Sequence, residues 1–346
     1  PIYQFVLPME NLLVNKVAAV KEVRQAAEYQ KKKQACILTG LAGSSKPVFF
    51  AAADKLLGGK GSMAFITASR EEIRTYRREL NYLYPDLPMQ ELYPVSLPRV
   101  QADTQSLELQ AGRAAALRFL SGEERGIVFI TAEALQQKQL RPSGMSGKAL
   151  QLAVGEEHEQ RNIAAALLDL GYERTEQVDA LGQFCLRGDI LDVYPINSST
   201  AVRIEWFDNE LDAMRSFDVD TQRSLQTLTS IKIAPLKVDE SFSYDADIFE
   251  YCAADTMVVV DEPVHVFSML EKLDKENKEH ASELFGKQEL IEQLAANGAV
   301  LVSALGHSYL QQLPSLNIPV RAVAPYNKNT NLLVEDLQNW LAEGIT

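Results

Sequence analysis

"CILTGLAGSSKPVFFAAA" (residues 36–53) runs from an apolar strand-like segment, Cys36-Ile37-Leu38, through a glycine-containing turn into alanine-rich helical sequence. Strand, loop and helix in this order are the setting of a phosphate-binding loop, G-x-x-x-x-G-K-[ST]. Aligned on Lys46, the chain keeps Gly40, has Gly43 inside the loop, and places Ser45 where the second glycine belongs and Pro47 where the hydroxyl belongs. A working loop needs glycines so that backbone N–H groups can close on the phosphates, a lysine for their charge and a hydroxyl for Mg²⁺. Ser45 adds a side chain at the point of closest approach. Pro47 removes the metal ligand and an amide donor together, although proline suits the first turn of a helix. The stretch thus keeps the geometry and discards the phosphate chemistry. Neither ATP hydrolysis nor tight nucleotide binding is expected from Gly40, Gly43, Ser45, Lys46 and Pro47, and no metal or other cofactor is expected in this chain.

Outward from the loop, strand-like runs alternate with helical ones. Residues 16–30 read as one amphipathic helix, Met63–Thr67 and Ile127–Thr131 as strands, and Ile73, Tyr76, Leu80 and Leu83 as one helical face. Such alternation predicts a parallel sheet covered on both sides. "GGKGS" (58–62) is a plain helix-to-strand loop, because no helix opens after it. The pattern changes at the polar "RPSGMSGK" (141–148). A helix carrying Ile163, Leu167 and Leu170 follows, then closely spaced strands at 183–196, 201–208 and 210–220, with Asp208-Asn209 as a tight turn. In the middle strand Val202, Ile204 and Trp206 alternate with Arg203, Glu205 and Phe207, the period of a half-buried strand. Beyond residue 237 the strand–helix pattern returns, with strands expected in "TMVVVDEP" (256–263), "GAVLVSAL" (298–305) and "IPVRAVA" (318–324) and a helix over 331–344. The chain ends at "GIT", just after that helix, which suggests a segment cut from a longer protein.

Composition narrows the function classes. Of the 346 residues, 46% are hydrophobic and 23% charged, and no apolar run nears the ~20 residues of a membrane span. The net charge of −13 argues against strong non-specific nucleic-acid binding, which needs clustered cations. The basic run Lys31-Lys32-Lys33 closes a predicted helix, where the macrodipole favours it. Three scattered cysteines and four histidines offer no metal site and fit a reducing cytoplasm. "RGD" (187–189) lies inside a strand-like run, with Gly188 reading as a bulge rather than an adhesion motif. Asp261-Glu262, after the apolar run "VVV", is the position where helicase-like ATPases hold Mg²⁺ and activate water. With the partner loop degenerate, a solvated turn or a helix start before Pro263 is the expected role, and the pair counts as a trace of ancestry.

"GYERTEQVDALGQFCLRGDILDVYPINSSTAVRIEWFDNELDAMRSFDVDTQRS" (171–224) resembles the inserted domain shared by the excinuclease component UvrB and the transcription-repair coupling factor family. The elements that carry the resemblance are G-Y-x-R, G-x-F-x-x-R-G-D, V-R-I-E-x-F and F-D-V-x-T-Q-R-S. The degenerate loop, "VVVDEP" and "LVEDLQNWL" fall in the matching order. UvrB carries an intact loop and a tyrosine-rich hairpin, whereas the corresponding segment here, 91–110, holds only Tyr93. The coupling factors are therefore the nearer family, and a UvrB-like ATPase that binds damaged DNA is the alternative.

The resemblance implies an α/β fold: a P-loop, RecA-like doubly wound parent domain in two lobes, 1–147 and 237–346, with an inserted α+β docking domain at 148–236. It implies recruitment of the excinuclease component UvrA by a cytoplasmic protein. RNA polymerase, double-stranded DNA, ATP and Mg²⁺ would be engaged only by the rest of a full-length relative. The family's arginines fall on Arg174 and Arg187, expected on a common face near Phe184 and Leu191, while Cys185 stands where UvrB has a further arginine. The inserted segment holds eight basic and fifteen acidic side chains, a net of −7, so two exposed arginines would be locally distinctive.

Overall fold

The computed structural model describes residues 7–97, 107–142, 148–236, 244–304, 312–320, 326 and 329–344. The first apolar runs form β1 (Cys36–Thr39), β2 (Met63–Thr67), β3 (Met89–Leu92) and β4 (Ile127–Thr131). The strand-rich middle supplies β5 (Gln139–Leu140), β6 (Leu150–Ala153), β7 (Glu173–Arg174), β8 (Gln183–Arg187), β9 (Ile190–Val193), β10 (Ala201–Phe207), β11 (Glu210–Phe217), β12 (Ser224–Leu228), β13 (Ser230–Ile233) and β14 (Tyr244–Ala246). The last segment adds β15 (Met257–Asp261), β16 (Val300–Ser303) and β17 (Ser315–Asn317).

The structure is mixed α/β. Seven strands form one parallel sheet in the order β17-β1-β16-β15-β2-β4-β3. β15 and β16 insert between β1 and β2, so the segments before and after the insertion interleave in a single sheet. Helices cover both faces, so the central strands are buried at every position and read as apolar runs that end in Thr67, Thr131, Asp261 and Ser303. One face sets Ile66, Ile130, Val258 and Val260 against Leu120, Leu270, Leu290 and Leu294. The other sets Leu38, Phe65, Phe129 and Val259 against Val23, Phe50, Tyr76 and Leu80.

Two local expectations change. The single helix read over 16–30 is two, Leu7–Ala18 and Lys21–Lys31, separated at an extended Val20 (φ −64°, ψ 134°). The break lets Val17 and Val23 both reach the core beside Phe50. The strand expected at 318–324 is instead β17, and Ile318 and Val320 donate their amides to the carbonyls of Thr39 and Gly40. Residues 321–324 lie outside the described residues, as do most of the boundary stretch 141–148 and part of 91–110.

The middle segment builds a separate six-stranded sheet, β12-β11-β10-β9-β8-β7, antiparallel except for the β7–β8 edge pair. Its inner face packs Phe184, Leu191, Val202, Ile204 and Trp206 against Ile163 and Leu167 of the helix Gln160–Asp169. Gly188-Asp189 proves to be a two-residue hairpin between β8 and β9, with Gly188 at φ +56°, rather than a bulge within one strand. Asp208, at φ +57°, opens the β10–β11 turn as its sequence suggested. Among the described residues, no helix is long and apolar enough to cross a membrane.

Candidate functional site

The degenerate loop and the Asp261-Glu262 pair, read separately in the sequence, meet through Lys46. β1 and the helix Ser45–Leu56 carry the lysine to the carboxyl end of β15, its neighbour but one. Its ammonium lies 2.6 Å from Asp261 Oδ1 and 2.8 Å from Glu262 Oε1, with Lys46 and Asp261 both buried. The Tyr76 phenol lies near Asp261 and feels its charge. Glu262 adopts a left-handed conformation (φ +42°, ψ 68°), uncommon for a residue with a side chain. That turn aims its carboxylate back at β16, where it accepts the Ala304 amide at 3.0 Å and the Ser303 hydroxyl at 3.2 Å. Pro263 then opens the helix Pro263–Glu276. The helix start matches the sequence reading; the solvated turn does not, because Asp261 is buried.

Charge pairing decides the protonation states. Burial pushes the Lys46 ammonium down, but Asp261 and the bonds to both acids hold it above the ordinary lysine value. Burial pushes Glu262 up, and Lys46 more than offsets this, leaving it below the ordinary carboxylate value. For Tyr76, burial and the Asp261 charge both push the phenol up, so it stays a hydrogen-bond donor.

The lysine that would meet phosphate is held by the two acids that would meet the metal. Ser45 turns its hydroxyl onto the Ala42 carbonyl at 2.7 Å and accepts the Ala42 amide at 3.0 Å. Gly43 has φ +53° with open space at its Cα, so the loop retains one flexible glycine. A Cβ on Gly40 would sit 2.6 Å from the Ile318 carbonyl oxygen, so the entry to the loop is packed by the chain itself. Pro47 is buried in the helix's first turn.

The second candidate lies on the outer face of the six-stranded sheet. Backbone register aligns Arg187, Ile190, Glu205 and Ala213 in one row and Cys185, Asp192, Arg203 and Arg215 in the next. Both rows share a face, because they are two residues apart along each strand. Asp192 is buried and accepts from Arg203 Nε and Nη2 at 2.6 and 2.8 Å and from Arg187 Nη2 at 3.3 Å. Arg215 pairs with Glu205, and Phe207, 73% exposed, continues the face toward the hairpin tip. Cys185 packs with Val178, Ala201 and Phe217 and donates its thiol to the Glu176 carbonyl.

Register also separates two residues the sequence grouped. Arg174 pairs with Phe184 across β7–β8 and so takes the inner face at the sheet edge, opposite Arg187. Both arginines belong to strand ends that are exposed. Phe184 and Leu191 are 0% and 1% exposed, so they support the sheet from inside and are not surface contacts. Arg203, Glu205 and Arg215 were the residues overlooked. The alternation of "VRIEWF" assigns the first two to the outer face, but their partners depend on register.

Residues 150–238 match the family described as UvrB interaction domain. The chain is 36% identical to the transcription-repair-coupling factor of Bacillus subtilis over 203 residues, 58% of this chain and 17% of that protein. Against the Escherichia coli transcription-repair-coupling factor it is 28% identical over 165 residues, 48% of this chain and 14% of that protein. The Haemophilus influenzae protein of the same name gives 30% over 169 residues, 48% of this chain and 14% of that protein. The chain is thus similar to transcription-repair-coupling factors over roughly half its length. It spans less than a fifth of the length of these three relatives. The six-stranded sheet and its arginine face lie within the UvrB interaction domain match, whereas the Lys46 triad lies on the parallel sheet outside it.

Proposed function

We propose that this chain acts as a protein-docking part of a transcription-repair-coupling factor, recruiting the excinuclease component UvrA to lesions where RNA polymerase has stalled. The observation that carries the reading is a sheet face bearing Arg187, Arg203 and Arg215 on the unit matching the UvrB interaction domain, in a chain that is otherwise acidic. Arg187 is the outermost member: its side chain is 55% exposed, and it is the more distant of the two arginines held by Asp192. A partner carboxylate meeting Arg187 would form the charge-assisted kind of hydrogen bond, about twice as strong as a neutral one. Arg174, at the β7 edge, becomes a second contact for a partner that wraps that edge. Engagement of RNA polymerase and double-stranded DNA belongs, in this reading, to the rest of a full-length protein. Binding of purified UvrA to this chain, followed by calorimetry, tests the reading. Saturable binding at physiological salt is expected, and its absence would overturn recruitment through this segment.

The parallel-sheet unit, in the same reading, is a scaffold that hydrolyses no ATP and needs no nucleotide or metal. Titration with Mg·ATP is expected to give no micromolar binding and no rise in melting temperature, although any ligand of the native state would raise it. The double substitution Ser45→Gly with Pro47→Thr restores backbone access and the hydroxyl, and is the variant in which weak binding should first emerge. Micromolar affinity in the unaltered chain would contradict the scaffold role.

A further inference from the structure

The Asp218–Arg223 turn, the last signature of the sheet, contains no residue of the arginine rows, yet it is built around one of them. Asp218 Oδ1 accepts both the amide of Thr221 at 2.8 Å and its hydroxyl at 2.7 Å. The Gln222 amide donates to the Asp218 carbonyl at 2.7 Å, and the Asp218 amide to the Arg223 carbonyl at 3.0 Å. This closed turn holds Gln222 at φ +58°, a region that side chains other than glycine, asparagine and aspartate seldom enter. Left-handed backbone points the glutamine amide at the outer face. Its Nε2 donates to the Val219 carbonyl at 2.9 Å, which fixes which way the amide lies, and its Oε1 accepts from Arg203 Nη2 at 3.1 Å.

Arg203 is thus held on three sides. Asp192 takes Nε and Nη2 in a two-point pair, Gln222 takes Nη2 again, and the ring of Phe217 lies 4.7 Å below the guanidinium carbon. Nη1 remains without a partner among the described residues. Asp192 also receives Arg187, so the two arginines share one buried carboxylate and their spacing is set by it.

We propose that Gln222 is a positioning residue for partner docking, and that Asp192, Gln222 and Phe217 form a socket presenting Arg203 Nη1 beside Arg187 as a pre-set receptor for carboxylates on the partner. The proposal rests on the docking reading above and adds to it the reason for the turn's sequence. Holding a guanidinium in its bound orientation beforehand reduces the ordering cost of association. Asp218, Thr221 and Gln222 then act on the partner only through Arg203.

Gln222→Gly separates positioning from structural support. Glycine adopts the left-handed conformation without penalty, so the turn keeps its backbone while the amide is lost. The melting temperature is expected to hold or rise, and affinity for UvrA to fall about tenfold, the scale of one hydrogen bond to a charged group. Adding Gln222→Gly to Arg203→Ala should cause little further loss, because the glutamine acts through that arginine. A second measurement needs no partner: the Nε–H resonance of Arg203, locked onto Asp192, should be sharp in the unaltered chain and broadened in Gln222→Gly. Unchanged affinity together with an unchanged Arg203 resonance would overturn the positioning role. Failure of the unaltered chain to bind UvrA, with the resonance still broadened by Gln222→Gly, would instead overturn the docking reading and the partner assigned here.

Discussion

Replacing Lys46 with methionine should destabilise the parallel-sheet unit by about 3–5 kcal/mol, the cost of leaving buried acids without their counter-charge. The substitution conserves the stem that packs in the first turn of the helix and removes only the ammonium. Glu262 keeps Ala304 and Ser303, but those bonds were made to a carboxylate neutralised by Lys46. Urea unfolding of the two proteins at neutral pH measures the difference. Adding Asp261→Asn and Glu262→Gln to Lys46→Met should recover part of it, since neutral amides need no counter-ion. The pH dependence has a definite sign. Glu262 titrates below its ordinary 4.5, so its share of stability is present above that pH and disappears as pH falls through the lowered value. Lys46 titrates above its ordinary 10.5, so its share persists below that pH and is lost only as pH rises through the raised value. The penalty for Lys46→Met should therefore be flat from neutral pH into the weakly alkaline range and shrink in acid. A penalty below about 1 kcal/mol at pH 7, the worth of an exposed pair, would mean the triad does not staple β1 to β15.

Phe184→Ala should cost about 3–5 kcal/mol through the cavity it leaves, and the loss should be confined to the six-stranded sheet. The ring is wholly buried among Leu191, Val193 and Val202, directly beneath the arginine face. UvrA binding would then fail along with the melting transition of that unit. Arg187→Ala, in contrast, removes an exposed side chain and should leave the transition in place. Retained stability in Phe184→Ala, with affinity alone reduced, would mean that the ring faces the partner after all.

The sequence made the elements legible where each carries its own signal. "CILT", "MAFIT" and "IVFIT" are short apolar runs bounded by turns, and all three are strands of one sheet. The alternation in "AVRIEWF" gave the inner and outer faces of β10, and Asp208-Asn209 gave its turn. Neighbour relations were another matter. Nothing in the order of strands says that β15 and β16 fall between β1 and β2, because parallel strands are joined by crossovers that can skip positions. Lys46 meets Asp261 across 215 positions only because of that interleaving. Arg174 and Arg187 parted for a related reason. A one-residue change in register moves a side chain to the opposite face, and the two-residue strand β7 has no alternation from which register could be read. Val20 likewise divided two helices because an apolar period continued across the break while the backbone did not.

The docking reading is tested most directly by the affinity of UvrA for the unaltered chain, Arg187→Ala and Arg174→Ala, each with its melting temperature measured alongside. Arg187→Ala is expected to lose about 2–5 kcal/mol of binding, mainly through faster dissociation, with the melting temperature unchanged. Arg174→Ala should lose less, because its side chain reaches a partner only around the sheet edge. Undiminished affinity in a folded Arg187→Ala protein would contradict docking through the outer face of the six-stranded sheet.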